Sequence, residues 1–262
     1  MKPRVAASSY LNTAPLVWTF KHGPRAHDIE LLEAVPARCA DMLEKGEADI
    51  ALVPAIEYQR NQSVSVVSGI AVASRESVRS VVLASKRPLL SEIRRVALDE
   101  SSRTSAALIK IIFREFVHGE PEWISSAPDL QTMLADNDAA LLIGDPAMTF
   151  SREGLHVFDM ASLWRKYTGL GFVFALWMFT TDAADAVTAL DLPGACREGL
   201  ARKSEIIDYY QPLLGLPRSE LEIYLSQNIT FHLDDEFIAG LNLFYNLAYK
   251  HKLTRGMRAL NL

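Results

Sequence analysis

The sequence predicts an α/β protein folded as two lobes around a cleft, with mixed, mostly parallel sheets. Three observations carry that expectation. Short β-branched runs alternate with helical patterns as far as about residue 180, the ordering of parallel-type sheets covered by helices. Beyond that point the pattern is helical only. The 262 residues also exceed what a single hydrophobic core usually organises.

Residues 5–9 read as a strand running straight into a helix, since Pro15 suits a first helical turn and Asn12 or Thr13 a cap. Residues 29–34 form a second strand. Pro36 opens a helix with Cys39, Ala40 and Leu43 on one face, and Gly46 ends it. Residues 49–54 are almost wholly apolar, as in a strand buried on both faces. Residues 64–72 and 78–85 are further β-branched runs. Residues 93–98 make a strand that leads through Asp99–Ser105 into a helix reaching about Val117. That helix is apolar on most sides and so is expected between other elements. A short helix follows at 129–134, then a buried strand over 138–146 that ends in a turn. Residues 164–168 are amphipathic, Gly169 and Gly171 break them, and 172–179 is the next strand. Helices are expected at roughly 182–190, 195–210, 218–227 and 234–252.

The charge balance narrows the function classes. With 27 basic against 32 acidic residues the formal net charge is -5, which argues against nucleic acid as the main partner. A small anion is still compatible, because a pocket can be locally positive on an acidic protein. No run approaches the ~18 apolar residues of a membrane span. The N-terminal stretch has no leader pattern either, so a cytoplasmic location is expected. Cys39 and Cys196 stand alone and read as two buried thiols in a reducing compartment.

Helix N-termini present free N–H groups and partial positive charge, so polar strand-to-helix junctions are candidate sites for a carboxylate or phosphate. Three stand out: Ser8, Ser9, Asn12 and Thr13; Ser101, Ser102, Arg103, Thr104 and Ser105; and the turn at Thr168 and Gly169, with Gly144 and Asp145 at another strand end. Simple capping would explain any one of them. The second holds four hydroxyls and an Arg where one cap needs one side chain. Ser80 opens an apolar strand, and Glu57 and Asp145 follow others. None of the six histidines falls in these junctions, and no pair has metal-ligand spacing, so neither a metal nor another cofactor is expected. Nucleophile-elbow, P-loop and dinucleotide fingerprints are missing, so any catalysis here must need few protein acid–base groups.

Several segments together carry a family resemblance: Ser9-Tyr-Leu-Asn-Thr-Ala-Pro-Leu16, Leu43-Glu-Lys-Gly-Glu-Ala-Asp-Ile-Ala-Leu-Val-Pro54, Ser77-Val-Arg-Ser-Val-Val-Leu83, Leu98-Asp-Glu-Ser-Ser-Arg-Thr-Ser105, Leu142-Ile-Gly-Asp-Pro146 and residues 164–174. The second of these is shared by many type II periplasmic-binding-protein folds and marks the fold alone. The set as a whole resembles the chorismate dehydratase family of the futalosine route to menaquinone. Gly171 departs from it, standing where the family pattern has a proline.

The resemblance implies a venus-flytrap fold, one lobe from residues 1–84 and 176–262 and the other from 85–175, joined by strands near 83–87 and 172–177. It implies a hydro-lyase that converts chorismate to 3-((1-carboxyvinyl)oxy)benzoate and water. Asn12 and Ser80 would be catalytic, positioning the substrate's own side-chain carboxylate as base, with Asp145 an alternative base. Ser9, Ser101, Ser102, Arg103, Thr104, Ser105, Gly144, Asp145, Thr168 and Gly169 would bind substrate. Two other readings share the fold: a cytoplasmic carboxylate-binding protein without catalysis, and the sister enzyme of the route, 1,4-dihydroxy-6-naphthoate synthase.

Overall fold

The computed structural model describes residues 2–261. The chain begins with β1 (Arg4–Ala7), α1 (Ala14–His22), β2 (Glu30–Glu33), α2 (Pro36–Glu44), β3 (Ile50–Pro54), α3 (Glu57–Arg60) and the long β4 (Val64–Ser74). It continues with β5 (Val81–Ser85), β6 (Arg95–Asp99), α4 (Thr104–Ile112), β7 (Glu122–Ser126), α5 (Leu130–Ala135), β8 (Ala139–Ile143), α6 (Gly144–Thr149), β9 (His156–Asp159) and α7 (Met160–Thr168). The last third holds β10 (Phe172–Thr180), α8 (Ala184–Leu190), α9 (Leu192–Ala201), α10 (Lys203–Leu214), α11 (Arg218–Ile223), β11 (Thr230–His232) and α12 (Asp235–Lys250).

Two open sheets result, one per lobe. The first has the order β11-β4-β10-β3-β1-β2 and the second β7-β6-β8-β5-β9. The strands expected to be buried on both faces are so: every residue of β3, β5 and β8 is buried. Both sheets are mixed. Four of the nine pairings among the described residues are parallel and five antiparallel, so parallel pairing is not in the majority. The difference comes largely from the two strands that follow the crossings: β5 and β10 each lie antiparallel between two neighbours and account for four of the five.

The boundaries expected at 84/85 and 175/176 fall inside these two strands. All of β5 pairs within the second sheet and β10 within the first. The chain therefore changes sheet over residues 75–80 and 169–171. Glu236, in the first turn of α12, holds both crossings. It pairs with Arg75 on one and accepts the Gly171 N–H on the other at 2.9 Å, and it also pairs with Arg165 of α7 at 2.5 Å. That bond accounts for Gly171, because a proline there has no N–H to give. A Cβ at Gly171 would also run into the ring of Phe237.

Three edge or near-edge strands, β7, β9 and β11, lie where none was expected. The segment expected as one helix over 195–210 is two, α9 and α10, separated at Arg202. Cys39 and Cys196 are free and buried, and burial pushes both thiols up to about 12.

Candidate active site

Where the two sheets face each other, the loops after β1, β3, β6 and β8 close on a cleft. Its polar wall comes from Ser8, Tyr10, Asn12 and Thr13 on one side and Ser102–Ser105 with Gly144 on the other. Its apolar wall comes from Leu52, Pro54, Val72, Val81, Ile143 and Phe174. No histidine lines it.

Four helices start at this cleft, α1 and α2 from the first lobe and α4 and α6 from the second. None is capped by a side chain. By contrast α5, α7, α9 and α12 are each capped by an aspartate, Asp129, Asp159, Asp191 and Asp234. The remaining uncapped helices, α3, α8, α10 and α11, follow directly on a turn, another helix or a proline. Among the described residues, the first-turn amides of α4 have no acceptor and are free to meet an anion, whereas Ala14 and Leu16 of α1, Ala37 of α2 and Gly144 of α6 already donate to the carbonyls of Leu11, Thr13, Ser101 and Ser80. The redundancy noted in residues 101–105 has a physical meaning here. Ser101 spends its hydroxyl and its N–H on Asp99, at 2.6 and 2.8 Å, and Thr104 Oγ1 accepts the Ile56 N–H at 3.1 Å. Neither hydroxyl caps the helix.

The lobes are in contact through specific pairs. Leu11 N–H donates to Asp145 Oδ1 at 2.9 Å, Ala37 N–H to the Ser101 carbonyl at 3.2 Å, and Ile56 N–H to Thr104. The Tyr10 ring lies flat enough on Gly144 that a Cβ there would stand 2.5 Å from it. Arg103 sends its stem past the cleft and its guanidinium to Asp41 and Glu57 of the first lobe, at 2.5 and 3.4 Å. With these contacts made, the cleft has a free volume of only about 60 Å³. Ligand sites span ~300–1,000 Å³. A molecule of that size enters only when the lobes part.

The structure gathers most of the expected residues and relocates others. Asn12, Ser102, Thr104, Ser105 and Gly144 line the cleft, and Arg103 reaches it with its stem. Asn12 shares its side-chain oxygen with Thr13 Oγ1 at 3.2 Å, and Thr13 Oγ1 also meets Ser8 Oγ at 2.6 Å. Asp145 lies outside the lining, turned to Leu11, and burial lifts its carboxyl to about 6. Ser80 is fully buried behind the wall. Its hydroxyl shares a 2.7 Å bond with the Tyr224 phenol, and its carbonyl accepts the Gly144 N–H at 2.8 Å. Ser9 is exposed and contributes its carbonyl to the Tyr210 phenol at 2.7 Å. Thr168 and Gly169 are not at the cleft but at the C-terminal end of α7. Thr168 Oγ1 bonds back to the Trp164 carbonyl, and Gly169 takes the left-handed cap conformation at φ 74°. A polar junction marks a helix end without saying which end.

Sequence reading missed Tyr10, Tyr210 and Tyr224. Tyr10 sat inside the first motif and was visible as a lone aromatic at a strand end; the other two lie in the helical tail, where spacing reads only as core.

Comparisons with known proteins bear on the family and on the fold. Residues 3–250 match the model of a family described as menaquinone biosynthesis. A chorismate dehydratase of Thermus thermophilus is 32% identical over 264 aligned residues, which cover 93% of this chain and 94% of that protein. Among solved structures, a protein of Archaeoglobus fulgidus superposes with a TM-score of 0.79 at 21% identity, covering 96% of this chain and 98% of that one. The periplasmic aliphatic sulphonate binding protein SsuA of Escherichia coli does so with a TM-score of 0.67 at 13% identity, covering 98% and 89%. These last two speak for the periplasmic-binding-protein fold alone. By the family match and by its relative in Thermus thermophilus, the chain belongs to the menaquinone biosynthesis family.

Proposed function

We propose that the protein is a chorismate dehydratase, a hydro-lyase that removes water from chorismate to leave 3-((1-carboxyvinyl)oxy)benzoate on the futalosine route to menaquinone. One observation carries the reading: the uncapped N-terminus of α4, its first-turn amides free, faces Asn12 across a cleft with an apolar wall. A dianion with an apolar ring fits such a place, one carboxylate on those amides, the other beside Asn12 and the ring against Leu52, Val81 and Phe174. Family membership and the Thermus thermophilus relative support the substrate.

The chemistry suits a cleft without histidine. The C3–H bond breaks, its electron pair moves into the ring, and the C4 hydroxyl leaves with a proton as water. Atoms and electrons balance with no co-reactant, and aromatisation drives the step. Negative charge that develops through the ring diene onto the ring carboxylate is stabilised at the first turn of α4. Asn12 orients the enolpyruvyl carboxylate, which takes the C3 proton and returns it to the leaving oxygen. Ser80 acts from behind the wall, fixing Gly144 through its carbonyl. Parting and closing of the lobes would admit the substrate and then exclude water. Location in the cytoplasm belongs to the same reading and is checked by cell fractionation.

Incubating the purified protein with chorismate tests the proposal. Proton NMR should show loss of the ring diene and growth of a meta-substituted aromatic pattern, and Asn12→Ala should slow this by roughly 10²-fold or more. Chorismate retained but unchanged would leave a binding protein. Chorismate neither bound nor changed, with turnover of another substrate of the route, would favour the sister synthase.

A further inference from the structure

The segment that leads to Asn12 is gripped at each of three residues. The Tyr210 phenol of α10 donates to the Ser9 carbonyl at 2.7 Å, and the Tyr10 ring lies on Gly144 of the second lobe. Leu11 is fully buried and donates its N–H to Asp145 Oδ1 at 2.9 Å. The Tyr10 and Leu11 carbonyls accept from the N–H groups of Thr13 and Ala14, which closes the turn around Asn12. Asn12 is thus fixed by Tyr210 from its own lobe and by residues 144 and 145 from the other.

Of the two grips from the second lobe, only the one at Asp145 can carry charge. No Lys, Arg or His pairs with Asp145 among the described residues, and the Leu11 N–H is its one side-chain hydrogen bond. Around it stand Tyr10 of the β1–α1 loop, Tyr210 of α10 and Tyr224 after α11, phenols that burial, and further the Asp145 charge, keep protonated. Behind those rings are Asp99, Glu33 and Asp159, all of like sign, and Arg79, which is spent on Glu220. Closing the lobes brings Tyr10 and Leu11 over this carboxyl and strips water from it. An ionised carboxylate resists that step and a protonated one does not. Burial in the closed form lifts the group to about 6, from near 4 in water. Closure is therefore easiest below about pH 4, and the advantage is lost as pH rises through about 6.

We propose that Asp145 is a positioning residue: it sets Asn12 opposite the first turn of α4 by drawing residues 10–12 onto the second lobe, and its ionisation loosens that hold. It acts through Leu11 and not on the substrate. Only the kinetic part of the test rests on the dehydratase reading.

Small-angle scattering of the ligand-free protein at pH 5 and pH 8 tests the hold without any substrate. The wild type should have a larger radius of gyration at pH 8. Asp145→Asn keeps an acceptor for Leu11 and cannot ionise, so it should keep the smaller radius at both. With chorismate, KM of the wild type should rise by up to about tenfold between pH 5 and pH 8 relative to Asp145→Asn, while kcat changes less than about twofold. A wild-type radius that ignores pH, or one that grows equally in the variant, overturns the proposal. So does a variant that loses kcat at unchanged KM, because Asp145 would then act in the chemistry itself. If chorismate is not turned over, the dehydratase reading fails and the scattering alone decides the hold.

Discussion

Burial lifts the Asp145 carboxyl to about 6, although its one strong partner, the Leu11 N–H, favours the ionised form. Because the folded state holds this proton more tightly than the unfolded chain, the group's contribution to stability is complete below about pH 4 and is lost as pH rises through about 6. Two pH units amount to roughly 3 kcal/mol at most. Asp145→Asn keeps an acceptor for Leu11 and removes the charge. It should unfold at higher denaturant than the wild type near pH 8, by roughly 1–3 kcal/mol, with the gain gone near pH 4. Ser80→Ala should do the reverse, leaving the Tyr224 phenol buried without its partner at a cost of about 1–3 kcal/mol, measured by the same denaturation. Asn12 and residues 102–105 stand at strand ends in the sequence and meet at one cleft in the structure, though only the 101–105 cluster holds more hydroxyls than a cap requires. The direction of the Ser80 hydroxyl was not legible in the sequence, since its partner lies 144 residues along the chain. Arg103 looked like a carboxylate ligand for a similar reason: nothing in its own segment tells of Asp41 and Glu57 across the cleft.

Among the secondary-structure elements, the helices that begin at the cleft without caps are the distinctive feature. Val35 precedes α2 in extended conformation, φ -63° and ψ 153°, and is 44% exposed, so an aspartate could cap the helix there without a clash. Val35→Asp should stabilise the fold by about 1 kcal/mol in thermal unfolding. The same charge beside the cleft should raise KM for a dianion severalfold with little effect on kcat. Equal KM in variant and wild type would separate α2 from substrate binding. Long apolar runs such as β3, β8 and β10 were plain in the sequence, because burial on both faces leaves no polar alternation. The short strands β7 and β9 were not, since half-exposed residues at a sheet edge read like loop. Gly171 matters at this scale too. Gly171→Ala pushes a methyl into Phe237 at the second crossing, and overpacking there should cost about 1–3 kcal/mol in unfolding free energy.

Taken as one molecule, the protein is two sheets joined by two short crossings and held face to face by Leu11–Asp145, Ala37–Ser101, Ile56–Thr104 and the Arg103 ion pairs. The two-lobed plan was visible in the order of strands and helices. The crossings were misplaced by several residues, because an apolar strand looks the same in either sheet and only its neighbours say which one it joins. Arg103→Ala removes the charged part of the contact and should favour parted lobes, read as a larger radius of gyration by small-angle scattering and a higher KM. The decisive measurement is a crystal structure of the Asn12→Ala protein with chorismate bound. One carboxylate should accept from the first-turn amides of α4 and the other should lie beside residue 12, with the ring against Phe174. Carboxylates seated anywhere else would contradict the account.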